Sequence, residues 1–375
     1  MLLSAAVLLA LPFCSVFAAC ADETEQLTEG VSDTVDELDL TDFSEVASDY
    51  IGSVVDKILA LADGQFDDLG SFLQVFAEVF LDDFTQTLPC LLTVFAVAVI
   101  CGLCRRTGDG LLSAGTNDIV VFVGVAVICV TLAKLYGRVY SEVYAVVNKI
   151  AALSQTSSPV MLTLLVACGG NGVTQVCHPG MVIFGSTILS VVKDVVLPLG
   201  LFGTLFAVAG NLSGSMRVEK LSEFFASTSG WVLGVVFMVY SAYTSVCGIT
   251  AGAVDGVSVR AAKFAARNYI PILGGYLSEG FDVVLASANV VKNCFGAVTL
   301  AVLLLAVIKP ICTTLCVSLG LQAVSAVVQP VADERTVKLL YSFGKTLSVN
   351  VAVVCASAFM FALQVVIAIS CVNLL

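Results

Sequence analysis

Stretches of seventeen or more nearly uninterrupted apolar residues recur along this chain, and no other feature limits its folding so strongly. They cover 88–104, 119–136, 230–249, 283–308, 311–328 and 347–372. A hydrocarbon layer is crossed by about 20 apolar residues in a helix, or by about 10 in a strand of a closed barrel. Nothing else spans it, because lipid offers no partner to a backbone N–H or C=O. These runs have the length of membrane-spanning helices. The expected fold is therefore an all-α polytopic membrane bundle of about seven spans. Composition agrees, since 58% of residues are hydrophobic and 12% charged, against about a quarter charged in a soluble domain.

The charge is unevenly placed. Between residues 22 and 87 there are 18 acidic side chains and one basic one, Lys57, whereas the rest of the chain holds 16 basic and 11 acidic residues. Such asymmetry implies two environments. The acidic part repels nucleic acid and anionic headgroups, so no nucleic-acid partner is expected. It contains two amphipathic helical patterns. One covers 44–62 with Ala47, Ile51, Val54, Val55, Ile58 and Leu61; the other covers 67–84 with Leu69, Phe72, Leu73, Phe76, Phe80 and Phe84. Residues 1–21 form an apolar leader ending in Ala19-Cys20-Ala21, a small-x-small pattern of signal-peptide cleavage. The chain thus divides into a leader at 1–21, an acidic helical segment at 22–87 and a polytopic domain at 88–375. Arg105-Arg106 close the first span. By the positive-inside rule they lie in the cytoplasm and the acidic segment outside it.

Other apolar stretches are broken. The run 159–176 starts at Pro159 and contains Gly169, Gly170 and Asn171; His178-Pro179 follow, and the run 180–210 contains Lys193-Asp194 and Pro198. A later break holds Pro271, Gly274 and Gly275. Freed backbone groups at membrane depth need protein or water around them, so these segments are expected to line a pore or a subunit interface. Lys193, Asp194, Asp282 and Lys292 lie in or beside apolar runs. Charge at that depth is costly unless paired or wetted, which leaves two readings: a lined pathway or a helix-packing ion pair. Asn293 marks a packing face beside Lys292. The pattern at 255–269 is amphipathic, with Arg260, Lys263 and Arg267 on one face suited to anionic lipid headgroups.

Catalytic signatures are sparse. The single histidine, His178, has no acid, nucleophile or second imidazole beside it in any familiar spacing. Cys101-Gly-Leu-Cys104 sits at a span end without the βαβ setting of a redox motif. No phosphate-binding loop, dinucleotide fingerprint or nucleophile elbow occurs. None of the 14 cysteines falls in the acidic segment, the reverse of an exported disulfide scaffold; they read as small packing residues. Neither an enzyme nor a cofactor or metal site is expected.

Several separated strings resemble the stage III sporulation protein AE family. One is DGVSVRAAKFAARNYIPILGG from Asp255 to Gly275; DVVLASAN from Asp282 and VVKNCFG through Lys292 and Asn293 follow it. Ser158-Pro159 with the glycine-rich break, His178-Pro179 and Gln329-Pro330-Val-Ala-Asp333 are similar too. The resemblance covers nearly the whole chain. It implies a membrane component of a sporulation-specific transenvelope channel or secretion-like complex linking mother cell and forespore, needed for late forespore development. Its partners would be other membrane proteins of that complex, the bilayer and further copies of the chain. The family supplies no catalytic residues to carry over. A rival reading, from the broken helices and buried charges alone, is a secondary transporter for a small solute, against which stands the missing inverted repeat.

Overall fold

The fold is taken from a computed structural model that describes residues 69–107, 114–169, 171–212, 219–269 and 274–370. The leader and the first amphipathic pattern, 44–62, lie outside the described residues. Everything described is helix or short turn. The helices are α1 (Leu69–Thr107), α2 (Ala114–Ala167), α3 (Asn171–Ile183), α4 (Leu189–Val191), α5 (Leu197–Leu212), α6 (Glu219–Tyr269), α7 (Gly274–Val328) and α8 (Glu334–Ser370). Two π-helical segments, Phe184–Ile188 and Val192–Val196, join α3, α4 and α5 into one irregular rod.

Among the described residues, six stretches are long and apolar enough to cross a bilayer: Val79–Cys104, Ile119–Ala167, Leu189–Gly210, Lys220–Cys247, Val283–Val328 and Glu334–Ser370. The joints between them differ from the expected ones, because proline does not break the described helices where the sequence suggests. Pro89, Pro159 and Pro310 all sit inside helices. The runs 283–308 and 311–328 are therefore one helix. The amphipathic pattern at 67–84 and the first span are likewise one helix, α1. Apolar surroundings make this tolerable, because hydroxyls and neighbouring helices satisfy what proline frees. Hydroxyls also back-bond beside each proline: Thr93 Oγ1 donates to Pro89 O at 2.8 Å, Thr314 Oγ1 to Pro310 O at 2.6 Å, and Ser158 Oγ to Ser154 O; these bonds are separate from the carbonyl four residues before each proline, which loses its amide donor.

At 1.5 Å per residue the 55-residue α7 is about 80 Å long, over twice a hydrocarbon core of about 30 Å. It pairs most extensively with α8, and this hairpin forms the centre against which α1, α2, α5 and α6 pack. The turn Gln329–Asp333 closes the hairpin through Val331 N–H and Ala332 N–H, both bonded to Val328 O at 2.9 and 2.8 Å. Lipid tails are as apolar as leucine, so the bundle cannot cohere by hydrophobicity alone; close backbone approach and interhelical hydrogen bonds take over. Ser318 Oγ to Gly344 O (2.8 Å) and Ser325 Oγ to Val337 O (3.1 Å) join α7 to α8. Ser222 Oγ to Gly203 O (2.7 Å) and Ser229 Oγ to Val196 O (2.9 Å) join α6 to the α5 rod. At the turn, a Cβ on Gly102 of α1 would lie 2.3 Å from Val331 O, so only glycine lets those backbones touch.

Candidate functional site

The broken region between α2 and α3 is real but brief. Gly169 turns the chain with φ 84°, a left-handed conformation that glycine adopts without a steric penalty. Gly170 and Pro271 lie outside the described residues. Asn171 begins α3, and Gly274 and Gly275 begin α7. His178 and Pro179 are exposed on α3, and Pro159 is exposed on α2. Arg260, Lys263 and Arg267 lie on α6 and Asp282 on α7, with side chains outside what the structure describes.

Two of the predicted features come together. Lys292 on α7 is fully buried, and its Nζ donates to Ile369 O at 2.8 Å. Ile369 belongs to the last turn of α8, whose carbonyls have no helical donor. The ammonium thus caps that helix and meets the negative end of its dipole. Cys168, next to the Gly169 turn, lies within electrostatic reach of the same ammonium. Packing there is close: a Cβ on Gly296 would meet Ile369 Cδ1 at 2.3 Å and Met161 Cε at 3.1 Å. Asn293, beside it, is half-buried.

Lys193 and Asp194 occupy a different level, in the second π segment. Lys193 Nζ donates to Asn148 Oδ1 at 2.9 Å, while Asp194 is exposed. Asn148 and Cys168 are about 30 Å apart along α2. The two basic residues therefore do not share one site.

The sequence reading missed two polar features. Asp83, counted among the acidic residues of a water-facing helix, is buried, and Thr313 Oγ1 of α7 donates to its Oδ2 at 2.7 Å. The other is a file of buried polar side chains on α8. Gln364 donates to Ser158 Oγ of α2 at 3.2 Å and accepts from Tyr240 of α6 at 3.3 Å. Ser357 and Asn350 lie seven and fourteen residues earlier and are also buried. A seven-residue interval among apolar neighbours was the available signal. Among the described residues, no three His, Cys, Asp or Glu side chains gather in a metal-binding cluster.

The family model described as stage III sporulation protein AE (spore_III_AE) matches residues 52–372. The chain belongs to that family. Its matched region takes in all the helices of the bundle, together with the Lys292 cap, the Gly169 turn and the polar file. A stage III sporulation protein AE from Bacillus subtilis (strain 168) is 24% identical over 216 residues, which is 58% of this chain and 54% of that relative. The chain thus spans about half the length of the curated relative it matches. No solved structure matches it. The family is one of sporulation proteins, and the six long apolar stretches of the described residues are those of a multi-pass membrane protein.

Proposed function

We propose that the chain is a non-enzymatic subunit of a membrane complex that links mother cell and forespore as a channel or secretion-like conduit during sporulation. The observation that carries this reading is the family match from 52 to 372, over a bundle with large apolar side chains on its outside. Phe224, Trp231, Met238 and Val239 on α6, and Phe122, Val123 and Val130 on α2, are exposed. Lipid or other membrane helices would cover such faces. In this arrangement the acidic segment faces the space between the two membranes, and Arg105-Arg106 face the cytoplasm. The partners are the other membrane proteins of the same complex, with further copies of the chain among them. The Gly- and Pro-rich segments around Gly169–Pro179 and Pro271–Gly275 line a pore or a subunit interface.

The test is affinity purification of the tagged full chain from detergent-solubilised sporulating cells, with every co-purifying protein identified. Recovery of other membrane proteins of the sporulation programme in fixed proportion supports the subunit role. Recovery of the chain alone, under conditions that preserve a control complex, overturns it, and solute uptake into proteoliposomes then tests the transporter reading.

A further inference from the structure

Asn350, Ser357 and Gln364 recur every seven residues, so they lie on one face of α8, two turns apart, along about 21 Å of its length. All three are buried, at 2%, 0% and 5% exposure. That face meets α2, and the two helices run in the same direction: Tyr136 packs edge-on against Phe343, and further along Ser158 bonds to Gln364. On α2, Tyr136 and Ser154 are buried as well. Among the described residues, four polar atoms of this interface have no hydrogen-bond partner: Tyr136 OH, Ser154 Oγ, Asn350 Nδ2 and Ser357 Oγ. Thr204 and Asn350 lie beside the Tyr136 hydroxyl. Buried polar groups are almost always satisfied, and four orphans on one seam inside a membrane bundle call for a ligand.

We propose that the α2–α8 seam is a binding site for a file of internal water molecules. Water fits the chemistry of the orphans. Three are hydroxyls, which donate and accept, while the Asn350 amide nitrogen can only donate. A cation could not use that amide nitrogen, and the file contains no carboxylate to hold one. Beside the Gln364 end, a mostly apolar cavity of about 20 Å³ between α3, α6 and α8, lined by Met181, Tyr240, Thr244, Cys247, Gln364 and Ile367, is large enough for one water. The seam lies within the single chain, and it stands whether or not the chain assembles with partners.

Hydroxyl-radical footprinting of the full chain in lipid nanodiscs, read by mass spectrometry, tests this directly, because radicals form from water at the site. Phe184 is the control: it is fully buried, stacked on Phe361, and carries no polar atom for water to bind. Tyr136 is expected to be modified at least fivefold faster than Phe184 despite its burial. Asn350→Leu is expected to reduce Tyr136 labelling by half or more and to lower the melting midpoint, since it removes a group that water satisfies. Labelling of Tyr136 at the Phe184 rate overturns the proposal. So does an Asn350→Leu chain that melts higher than the native one, because replacing a true orphan with an apolar side chain of similar size stabilises. If Asn350→Leu does not fold, the native-chain comparison of Tyr136 with Phe184 decides alone.

Discussion

Replacing Gly102 with alanine puts the close packing of α1 on the α7–α8 turn to a quantitative test. The added Cβ would lie 2.3 Å from Val331 O and 2.8 Å from Val331 C and Ala332 Cα. All three are backbone atoms, so no rotamer change relieves the clash. The turn itself is held by two hydrogen bonds to Val328 O. Restoring ordinary contact requires a shift of roughly 1 Å, and overpacking of this kind costs about 1–3 kcal/mol. Gly137 on α2 is the matched control. It is exposed and helical, with nothing within 4 Å of its Cβ position, so Gly137→Ala gains up to about 1 kcal/mol from helix propensity. The two variants should differ by about 1–4 kcal/mol, or roughly 2–8 °C in melting midpoint at about 2 °C per kcal/mol. Helix-band circular dichroism of both purified variants against temperature, in one detergent, measures the gap. Midpoints within 1 °C of each other would refute the contact.

Four further substitutions, in three experiments, probe the polar contacts and the Gly169 turn. Lys292→Ala removes a buried four-carbon stem and the donor to Ile369 O, and should destabilise by roughly 2–4 kcal/mol; an unchanged melting midpoint would show that the cap contributes nothing. Gly169→Ala forces an L side chain into a left-handed turn and should cost about 1–2 kcal/mol, read in the same melt. A double-mutant cycle of Asp83→Ala and Thr313→Val should give a coupling of about 1–3 kcal/mol, whereas additive single effects would mean that the 2.7 Å bond carries no stability.

The helical membrane fold was legible in the sequence because lipid leaves apolar runs so few alternatives. Their joints were harder to read. Pro310 reads as a boundary, yet α7 passes through it, because a membrane helix tolerates a proline that would end a helix in water. The pairing of Lys292 was hidden for a different reason: its acceptor is a backbone carbonyl 77 residues away, and a carbonyl leaves no mark in composition. Asp83 shows the opposite failure. Its neighbours Asp82 and Gln86 are exposed, so the local pattern looks wholly water-facing, and only the approach of Thr313 from α7 explains its burial. The polar file on α8 did carry a signal, but serine and asparagine among apolar residues look the same whether they pack, bond or bind water.

The continuity of α1 has a mechanical consequence. From Leu69 to Thr107 it is a single helix, about 58 Å long, uninterrupted by any loop although Pro89 removes one of its backbone hydrogen bonds. A pull or twist applied at its start is delivered near its far end, where Gly102 bears directly on the backbone of Val331 and hence on the central hairpin. In such a strut, tension outside the bundle becomes displacement at its centre without any intervening loop to absorb it.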